Sequence, residues 1–404
     1  PLARQGFDYD VIVVGAGPGG STAARFCTQA GLKTLLIEKE KMPRYKACGG
    51  CLSVKAVDLL GLDLNSVVET MIYKAKFTYR LKDSFSIEWR QPIAFMVMRD
   101  RFDQFLVEQA LEKGTEVLEG VRVVKVEEKR DGVEVELNDG EKFRCEYLIG
   151  ADGPGSIVGK SLSLLPPKGD GNGIGMESEI PFESTFDFPR EELQLVHFDF
   201  GGVPNGYGWV FPKKEGLSIG VGGMFRDVAK MNLRQYFNTF IHGLSYIKQE
   251  KVEKVLGHPL PYFYDERQKV SKGKVLLVGD AAHLMDPLMG EGIYYALRSG
   301  MLAAEAILQS KESGALPSDL YQMKVQDHIS ENLKWALQFS RFVFRFTNLA
   351  YRTLKRYRDL ADLYLQVLEG RETYQGFVGR VKERMRDLLG GKLSEKIKRA
   401  MAGA

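Results

Sequence analysis

The stretch from Asp10 to Ala24 constrains the fold of this chain more than any other part. It begins with a short apolar run typical of a buried parallel strand, passes through the pattern G-x-G-x-x-G, and continues into an Ala-rich helix. In such a turn Gly15 permits the tight bend, Gly17 lets the backbone approach a pyrophosphate, and Gly20 lets the helix pack closely on the strand. The stretch therefore predicts a Rossmann-like β-α-β unit that binds a dinucleotide, with the pyrophosphate at the helix N-terminus.

A carboxylate follows where such a unit needs one. Glu38 ends the next apolar strand, Thr34 to Ile37, eighteen residues after Gly20. A carboxylate at this strand end accepts hydrogen bonds from the adenosine ribose, which favours FAD or NAD over NADP. Pro18 and Gly19, in the turn itself, are predicted to contact the same cofactor.

Length and charge limit the classes of protein to consider. A chain of 404 residues is long enough for two or three domains, and 56 basic against 53 acidic residues leave a net charge of only +3, so nucleic acid is not a predicted partner. The charge is uneven, because residues 321–404 carry 17 Lys or Arg and 9 Asp or Glu. This basic region is typical either of contact with anionic lipid or a diphosphate, or of a solvated helical face, and the residues leave both open.

The composition favours a protein made and kept in the cytoplasm. Four cysteines do not make a disulfide framework in a chain of this size, no apolar run reaches about eighteen residues, and no signal peptide precedes the first strand. We therefore expect a cytoplasmic protein, with peripheral contact to a membrane left open by the basic region. No metal site is predicted.

Two helices and a group of strands are predicted between residues 53 and 113. Ser53 to Leu60 has the pattern of a short helix that ends at Gly61, and Met71 to Trp89 shows the partial alternation of antiparallel strands. An amphipathic helix is predicted within residues 97–113. Arg99, at its start, is a candidate for contact with a phosphate or the adenosine, and the alternative interpretation is an ordinary surface arginine.

Two later strands end in further glycine-rich turns. Three strands are predicted within Thr115 to Glu127, Val133 to Leu137 and Glu141 to Ile149, and the last runs into Gly150-Ala-Asp152-Gly153. A second buried strand, from Lys274, ends in Gly279-Asp280, and a helix follows through Leu308. The residues between these turns are strand-rich, and the chain from Asp319 onward is helix-like.

The wide separation of the three turns predicts a discontinuous cofactor domain in an α/β protein. Late segments must return to complete the site, so we expect the cofactor domain to comprise residues 1–65, 95–160 and 268–310. An antiparallel β-sheet domain for the substrate, an α+β part made of residues 70–94 and 165–265, interrupts it. A C-terminal helical region, residues 315–404, follows.

The three turns in this order, with Glu38, closely resemble FAD-dependent proteins of the p-hydroxybenzoate hydroxylase fold over residues 8–310. The resemblance implies a Rossmann-like FAD-binding domain in which Asp280 bonds the ribityl chain. It also implies that the segment with Pro287, Gly290 and Gly292 presents backbone N–H groups to the flavin N1–C2=O edge, where reduced flavin carries negative charge. The other FAD-binding residues that it implies are Arg44, Cys48, Gly49, Arg99, Val123, Asp152, Gly279 and Ile293.

Two further motifs resemble the geranylgeranyl reductase family, which saturates isoprenoid double bonds in archaeal diether lipids, the chlorophyll side-chain precursor or quinone tails. They are Lys46-Ala-Cys48-Gly-Gly and the block Tyr207-Gly-Trp209-Val-Phe211-Pro. The resemblance implies that Cys48 lies close to the flavin ring as a catalytic residue, for proton delivery or flavin positioning. It places Tyr207, Trp209 and Phe211 along the cavity for the isoprene unit, and it implies an isoprenoid lipid or prenyl diphosphate as substrate.

Several alternatives stay open at this point. Cys51 departs from the family pattern, and Cys48-x-x-Cys51 is either a redox pair or, as we favour, a small buried thiol in a glycine-rich turn. Flavin halogenases share the fold but carry W-x-W-x-I-P, and aromatic hydroxylases lack the Tyr-Trp-Phe block. The electron donor is predicted to be external, either NADPH bound transiently or a ferredoxin or quinol.

Overall fold

The computed structural model describes residues 6–167, 169–224 and 231–384 of the chain. Residues 385–404 of the predicted C-terminal helical region lie outside these described residues, as do residues 1–5 of the predicted cofactor domain. The strands are β1 (Tyr9–Val14), β2 (Thr34–Glu38), β3 (Cys51–Ser53), β4 (Val68–Ile72), β5 (Lys74–Tyr79), β6 (Asp83–Glu88), β7 (Ala94–Val97), β8 (Glu116–Glu119), β9 (Val123–Glu128), β10 (Val133–Leu137), β11 (Lys142–Gly150), β12 (Asn172–Pro181), β13 (Leu195–Phe200), β14 (Gly206–Pro212), β15 (Gly216–Met224), β16 (Leu256–Pro261), β17 (Ser271–Lys272) and β18 (Val275–Leu277). The α-helices are α1 (Pro18–Gln29), α2 (Val54–Leu60), α3 (Arg99–Leu111), α4 (Ile157–Ser161), α5 (Leu233–His242), α6 (Ile293–Ser313), α7 (Pro317–Val325), α8 (Glu331–Arg345), α9 (Thr347–Arg356) and α10 (Asp359–Leu368), and residues 374–384 are helical.

Three glycine-rich turns meet at one edge of the larger sheet. Its strand order is β17-β18-β11-β1-β2-β8, with β10 and β9 attached beside β11. Strand β11 pairs in parallel with both β1 and β18, and its Gly150 lies in register with Val14 and with Leu277. Because parallel strands present their carboxyl ends at the same edge, the turns that follow these three residues lie side by side. The predicted return of late segments to the first turn is therefore present.

The seven-stranded sheet has the order β16-β12-β15-β14-β13-β5-β6. Its neighbours are antiparallel except for β13 and β5, which run parallel, so the antiparallel prediction is correct for all pairs but one. Helix α5 packs on one face, where Val210 shares a buried cluster with Phe237 and Phe240. The opposite face carries the aromatic residues of β14 and meets the rest of the protein.

One predicted helix is confirmed and one predicted strand is wrong. The helix predicted to end at Gly61 is confirmed, since α2 stops there with Gly61 in the left-handed region at φ +59°. The single strand predicted for Thr115 to Glu127 is wrong, because β8 and β9 are separate. Gly120, at φ +76°, turns the chain between them, so β8 pairs with β2 while β9 pairs with β10.

The C-terminal helices cover the aromatic face of the seven-stranded sheet. On α9, Tyr351 donates from its hydroxyl to the carbonyl of Asp83 at 2.8 Å, and on α10, Asp362 accepts from Trp89 Nε1 at 2.7 Å. These bonds join α9 and α10 to β6 and to the residue that follows it. A space is left between the sheet, the helices and the glycine-rich edge.

Candidate active site

One cavity connects the glycine-rich edge to the aromatic face of the seven-stranded sheet. It has a volume of about 420 Å³, in the usual range for small-molecule sites. Its walls are formed by the three turns, the loop around Cys48, strands β5, β13 and β14, and the C-terminal helices. The residues predicted for the site that line it are Gly17, Pro18, Gly19, Cys48, Gly49, Arg99, Tyr207, Trp209, Phe211, Gly279, Asp280, Gly290, Gly292 and Ile293.

The first turn fits a ligand that approaches its backbone closely. A Cβ on Gly15 would lie 2.3 Å from the carbonyl oxygen of Ala151, and one on Gly20 would lie 1.8 Å from that of Gly15, so protein packing alone requires both glycines. A Cβ on Gly17 would meet no described protein atom closer than Arg44 Nη2, at 3.8 Å. The space in front of Gly17, at the N-terminus of α1, therefore suits a pyrophosphate.

Arg44 places a buried cationic donor beside that space. Its Nη2 pairs with Asp103 Oδ2 at 3.1 Å, while its Nη1 is buried and has no hydrogen-bond partner among the described residues. A free guanidinium N–H in this position suits a phosphate oxygen. The polar groups at the turn thus fit the diphosphate of a dinucleotide.

Asp103 organises both arginines of this region, and sequence reasoning missed it. It is fully buried and accepts two hydrogen bonds from Arg99, at 2.9 and 2.8 Å, besides its pairing with Arg44. Arg99 is only 5% exposed, so the alternative interpretation of a surface arginine is wrong. The i, i+4 spacing of Arg99 and Asp103 at the start of α3 was the one signal that could have indicated the pair.

Six predicted cofactor residues lie outside the cavity wall: Gly15, Gly20 and Arg44, described above, and Glu38, Val123 and Asp152. Glu38 is buried at the end of β2, where its Oε2 accepts from Ala16 N at 2.8 Å. Its carboxylate oxygens keep lone pairs for ribose hydroxyls. Val123 is 3% exposed within β9, and Asp152 caps its own turn by accepting from Ile157 N at 2.6 Å.

Asp280 carries a charged partner at the third turn. Lys46 Nζ lies 3.2 Å from its Oδ2. Burial alone would raise the pKa of Asp280, but the Lys46 ammonium lowers it, so the carboxylate stays ionised. Burial also lowers the pKa of His258 to about 4, and its Nε2 is buried without a hydrogen-bond partner among the described residues. A neutral imidazole facing the cavity, which the sequence did not indicate, suits an uncharged polar part of the ligand.

The loop around Cys48 packs against the aromatic block. The backbone N–H of Cys48 donates to Glu177 Oε1 at 2.7 Å, and its Sγ accepts from Gly50 N at 3.4 Å. A Cβ on Gly49 would lie 2.8 Å from the Phe211 ring, so glycine is required for this approach. Cys48 and Cys51 are both free thiols, and burial raises the pKa of Cys51 to about 12, which disfavours the redox-pair interpretation because no thiolate forms readily.

Alternate residues of β14 form the aromatic wall. Tyr207, Trp209 and Phe211 line the cavity, whereas Val210 between them packs in the cluster beneath α5. The Tyr207 hydroxyl donates to the carbonyl of Met289 at 2.5 Å, which joins the sheet to the third turn. The predicted substrate residues therefore lie on one face and share a cavity with the glycine turns.

The remaining wall comes from the C-terminal helices, for which no motif was available. Their contribution is apolar and aromatic, and it includes Phe339, Phe342, Ala350, Tyr364, Leu365 and Phe377. These residues recur on the inner sides of four helical segments. Amphipathic periodicity could indicate that the helices have an inner face, but it could not indicate which partner that face meets.

The segment before α6 brings backbone and a helix start to the cavity. Asp286, 1% exposed, accepts from Leu288 N at 2.6 Å and from the Tyr374 hydroxyl at 2.5 Å. Helix α6 then begins at Ile293 with Gly292 as its N-cap, and both residues line the cavity. The positive end of this helix is thus directed at the space where a ring with developing negative charge would lie.

Comparison with known proteins agrees with this geometry. The FAD binding domain family matches residues 8–215 and 264–320. The chain is 32% identical over 328 residues to a chloroplastic geranylgeranyl diphosphate reductase of Nicotiana tabacum, covering 77% of this chain and 68% of the relative. It is 27% identical over 380 residues to digeranylgeranylglycerophospholipid reductase 2 of Methanopyrus kandleri, covering 90% of this chain and 94% of the relative.

The chain belongs to the geranylgeranyl reductase family. Its cofactor is FAD, and the predicted family and cofactor are confirmed. The crystal structure of a geranylgeranyl bacteriochlorophyll reductase-like protein from Thermoplasma acidophilum has the same fold as this family member, with a TM-score of 0.77 at 23% identity over 93% of this chain and 99% of that one. A flavin-dependent brominase shares the fold at a TM-score of 0.68 and 20% identity, over 94% of this chain and 99% of that one.

Within the described ranges, no helix of this family member is both long enough and apolar enough to cross a membrane.

Proposed function

We propose that this protein is an FAD-dependent reductase that saturates isolated C=C bonds of a geranylgeranyl or related isoprenoid chain. The proposal rests on the one cavity that meets the three glycine turns and continues between aromatic and aliphatic walls. A polar dinucleotide and a long apolar chain both find complementary surface there. The reductase names of relatives that span most of the chain support the same function.

Bound FAD, once reduced, supplies the hydride for such a reaction. The residues of this chain bind and orient the reactants: Gly17 and Arg44 are proposed to hold the pyrophosphate, and Asp280 the ribityl chain. The start of α6 favours negative charge on the ring. Cys48 is proposed to contact the ring and to position it, with its Sγ held by the hydrogen bond that it accepts from Gly50 N.

The apolar wall has a chemical purpose in this proposal. An unactivated alkene offers no polar group to activate, so rate must come from placement in a space that excludes water. Tyr207, Trp209 and Phe211 present aromatic faces that stabilise transient positive charge on the chain. A wet, charged wall here would favour a different substrate.

Mass spectrometry of the product tests the function. The FAD-loaded protein, reduced with dithionite under argon, is incubated with geranylgeranyl diphosphate or with a digeranylgeranyl glycerophospholipid. We expect product mass to rise by two hydrogens per double bond in the absence of oxygen. Oxygen-dependent insertion of hydroxyl or halogen, with no anaerobic product, would instead support the hydroxylase or halogenase alternative.

We also propose that the electrons come from an external donor. The described residues contain one turn with the pattern G-x-G-x-x-G, and FAD is assigned to it. Stopped-flow bleaching of the flavin with NADPH, with reduced ferredoxin and with a quinol separates the candidates. We expect one of the three to reduce the flavin at least about tenfold faster than the others.

We further propose that helices α8 and α9 face an anionic headgroup or membrane surface. Residues 332–358 contain seven Lys or Arg and no Asp or Glu. Arg352 and Arg356 are exposed one turn apart on α9, the helix whose Ala350 lines the cavity. Binding to phosphatidylglycerol vesicles should exceed binding to phosphatidylcholine vesicles, and Arg352→Glu with Arg356→Glu should remove the difference. Arg130→Glu, in the distant β9–β10 turn, is the control.

A further inference from the structure

A buried chain of hydroxyl groups leads from the apolar wall to the carboxylate of Asp286. The hydroxyls of Tyr364 and Tyr374 lie 2.9 Å apart, and the Tyr374 hydroxyl lies 2.5 Å from Asp286 Oδ2. Tyr374 is fully buried and Asp286 is 1% exposed. Three side chains from the segment before α6, from α10 and from residues 374–384 are thus joined in one hydrogen-bonded line.

Both ends of this line face the cavity, whereas its middle does not. Tyr364 and Asp286 line the cavity, and Tyr374 lies behind them. Tyr364 and Tyr207, which lies on the aromatic wall of β14, line the same cavity. Tyr364 is therefore located where the sheet, the C-terminal helices and the segment before α6 meet.

The charges around Asp286 leave its carboxyl able to hold a proton. It faces Tyr374 and Tyr364 from the C-terminal helices, Tyr295 from α6 and Glu291 from its own segment. Lys55, from α2, is the nearby cation, but it pairs with Glu291 at 2.7 Å. Burial raises the pKa of Asp286 to about 6, and the hydrogen bond from Tyr374 limits the rise.

The other hydroxyls on the cavity wall have fixed backbone acceptors. Tyr207 donates to the carbonyl of Met289 and Tyr351 to that of Asp83. Burial raises the pKa of Tyr207 and of Tyr364, so these phenols stay neutral. In the described part of the wall, Tyr364 is the tyrosine whose hydroxyl is linked to an ionisable group.

We propose that Tyr364 delivers the proton that accompanies the hydride, and that Asp286 replaces it through Tyr374; this rests on the proposed reduction of a prenyl chain. The Tyr364 O–H bond breaks as a C–H bond forms at one alkene carbon, while the other carbon receives the hydride from the reduced cofactor. In this relay the protonated Asp286 carboxyl donates to the Tyr374 hydroxyl, and that hydroxyl donates to Tyr364. The Tyr374 proton moves to Tyr364 and the Asp286 carboxyl proton moves to Tyr374. The Asp286 carboxylate regains its proton from water after product leaves.

Single-turnover experiments test the assignment. Dithionite-reduced enzyme is mixed under argon with geranylgeranyl diphosphate, and saturated product is quantified over time in H₂O and D₂O. We expect Tyr364→Phe to slow product formation about 100-fold, as for loss of a general acid, while FAD absorbance and FAD affinity stay at the wild-type values. Tyr246→Phe is the matched control, because the Tyr246 hydroxyl is buried outside this cavity and has no partner among the described residues.

Asp286 is tested by its titration. In the wild type, product formation should slow as the pH rises through about 6, because the proton leaves Asp286. Asp286→Asn should remove that step in the pH profile. Infrared spectra of the protein should also lose a protonated-carboxyl band that titrates over the same range.

Each outcome decides a separate point. A Tyr364→Phe enzyme that reduces the chain within about threefold of wild type, with an unchanged solvent isotope effect, overturns the assignment. If the Asp286→Asn variant no longer binds FAD, its pH profile does not test the relay, and the Tyr364→Phe result alone decides the proposal. Failure of the wild type to saturate any prenyl substrate contradicts the proposed function instead.

Discussion

The two ends of the active-site cavity are built in different ways. At the cofactor end, the first turn depends on backbone geometry, and a Cβ on Gly15 or Gly20 would collide with carbonyl oxygens at 2.3 and 1.8 Å. At the substrate end, the wall consists largely of side chains such as Phe342, Leu365 and Phe377, drawn from helices that carry no motif. The first kind of site admits almost no substitution, whereas the second tolerates any apolar residue that preserves its volume.

This difference explains how one fold can support several different reactions. The flavin-dependent brominase and the reductase-like protein both share the fold of this chain, so the fold alone does not decide the reaction. We expect the aromatic and helical walls to decide what can lie against the ring. Specificity in this fold is therefore expected to depend on the C-terminal helices and β14 rather than on the turns.

The largest expected effect concerns the cofactor end. Gly20→Ala should abolish folded, yellow protein, because the added Cβ has no room beside the carbonyl of Gly15. Gly17→Ala should fold with an unchanged melting temperature, because its Cβ meets no described atom within 3.8 Å, yet bind FAD at least about tenfold more weakly. Calorimetry of the apo-protein and flavin titration measure the two effects. Equal behaviour of both variants would contradict the distinction between packing and ligand glycines.

The next effect concerns the substrate end. Ala350→Trp should fill the cavity beside α9 and raise KM for a prenyl substrate at least about tenfold, while the FAD spectrum stays unchanged. Asn348→Trp is the matched control, because Asn348 is exposed on the same helix and does not line the cavity. Steady-state kinetics under argon provide the measurement. A change of KM in the control alone would place the substrate outside this cavity.

A third prediction concerns Glu179, a half-buried carboxyl on β12 that does not line the cavity. Burial raises the pKa of Glu179 to about 7, and Lys213 at 3.9 Å only partly opposes it. Because this folded-state pKa lies above the unfolded value, the folded protein binds an extra proton, and stability is lost as the pH rises from about 4.5 to 7. Glu179→Gln should therefore gain about 1 to 3 kcal/mol over the wild type between pH 5 and pH 8 in urea unfolding. Glu183→Gln, on an exposed glutamate, should show no such gain.

The smallest expected effect concerns Cys48. If it positions the ring, as proposed, Cys48→Ser should keep turnover within about tenfold of wild type with reducible FAD still bound. Anaerobic single-turnover rates compared with those of Tyr364→Phe give the measurement. A loss for Cys48→Ser as large as that for Tyr364→Phe would return proton delivery to the thiol.

Most of the cofactor end could be predicted from the sequence. The strand, turn and helix around Gly15 to Gly20 are formed by neighbouring residues. A glycine at such a position indicates a backbone conformation or a close approach that other residues do not allow. The later turns at Gly150 and Gly279 carried the same signal, and the parallel register brings them together. The break of Thr115 to Glu127 into β8 and β9 was missed because one glycine inside a β-rich run is a weak signal.

The rest of the site depended on contacts between residues far apart in the chain. Lys46 and Asp280 are 234 positions apart, Trp89 and Asp362 are 273 apart, and Asp286 and Tyr374 are 88 apart. No local pattern encodes such a pairing, because each residue has an ordinary alternative as a surface or core side chain. Glu177 and His258 were missed for this reason, whereas Asp103 had a local signal in its i, i+4 spacing from Arg99.

The amino-acid sequence by itself determined the Rossmann-like unit, the order of the three turns, the family and FAD, since these depend on glycines and short motifs whose spacing is set by backbone geometry. Only the tertiary structure decided which aromatic residues share a wall, that the C-terminal helices close it, and that Asp286, Tyr374 and Tyr364 form one line. The physical reason is that side-chain packing and buried hydrogen bonds are chosen by the whole folded chain, in which distant segments compete for the same partners.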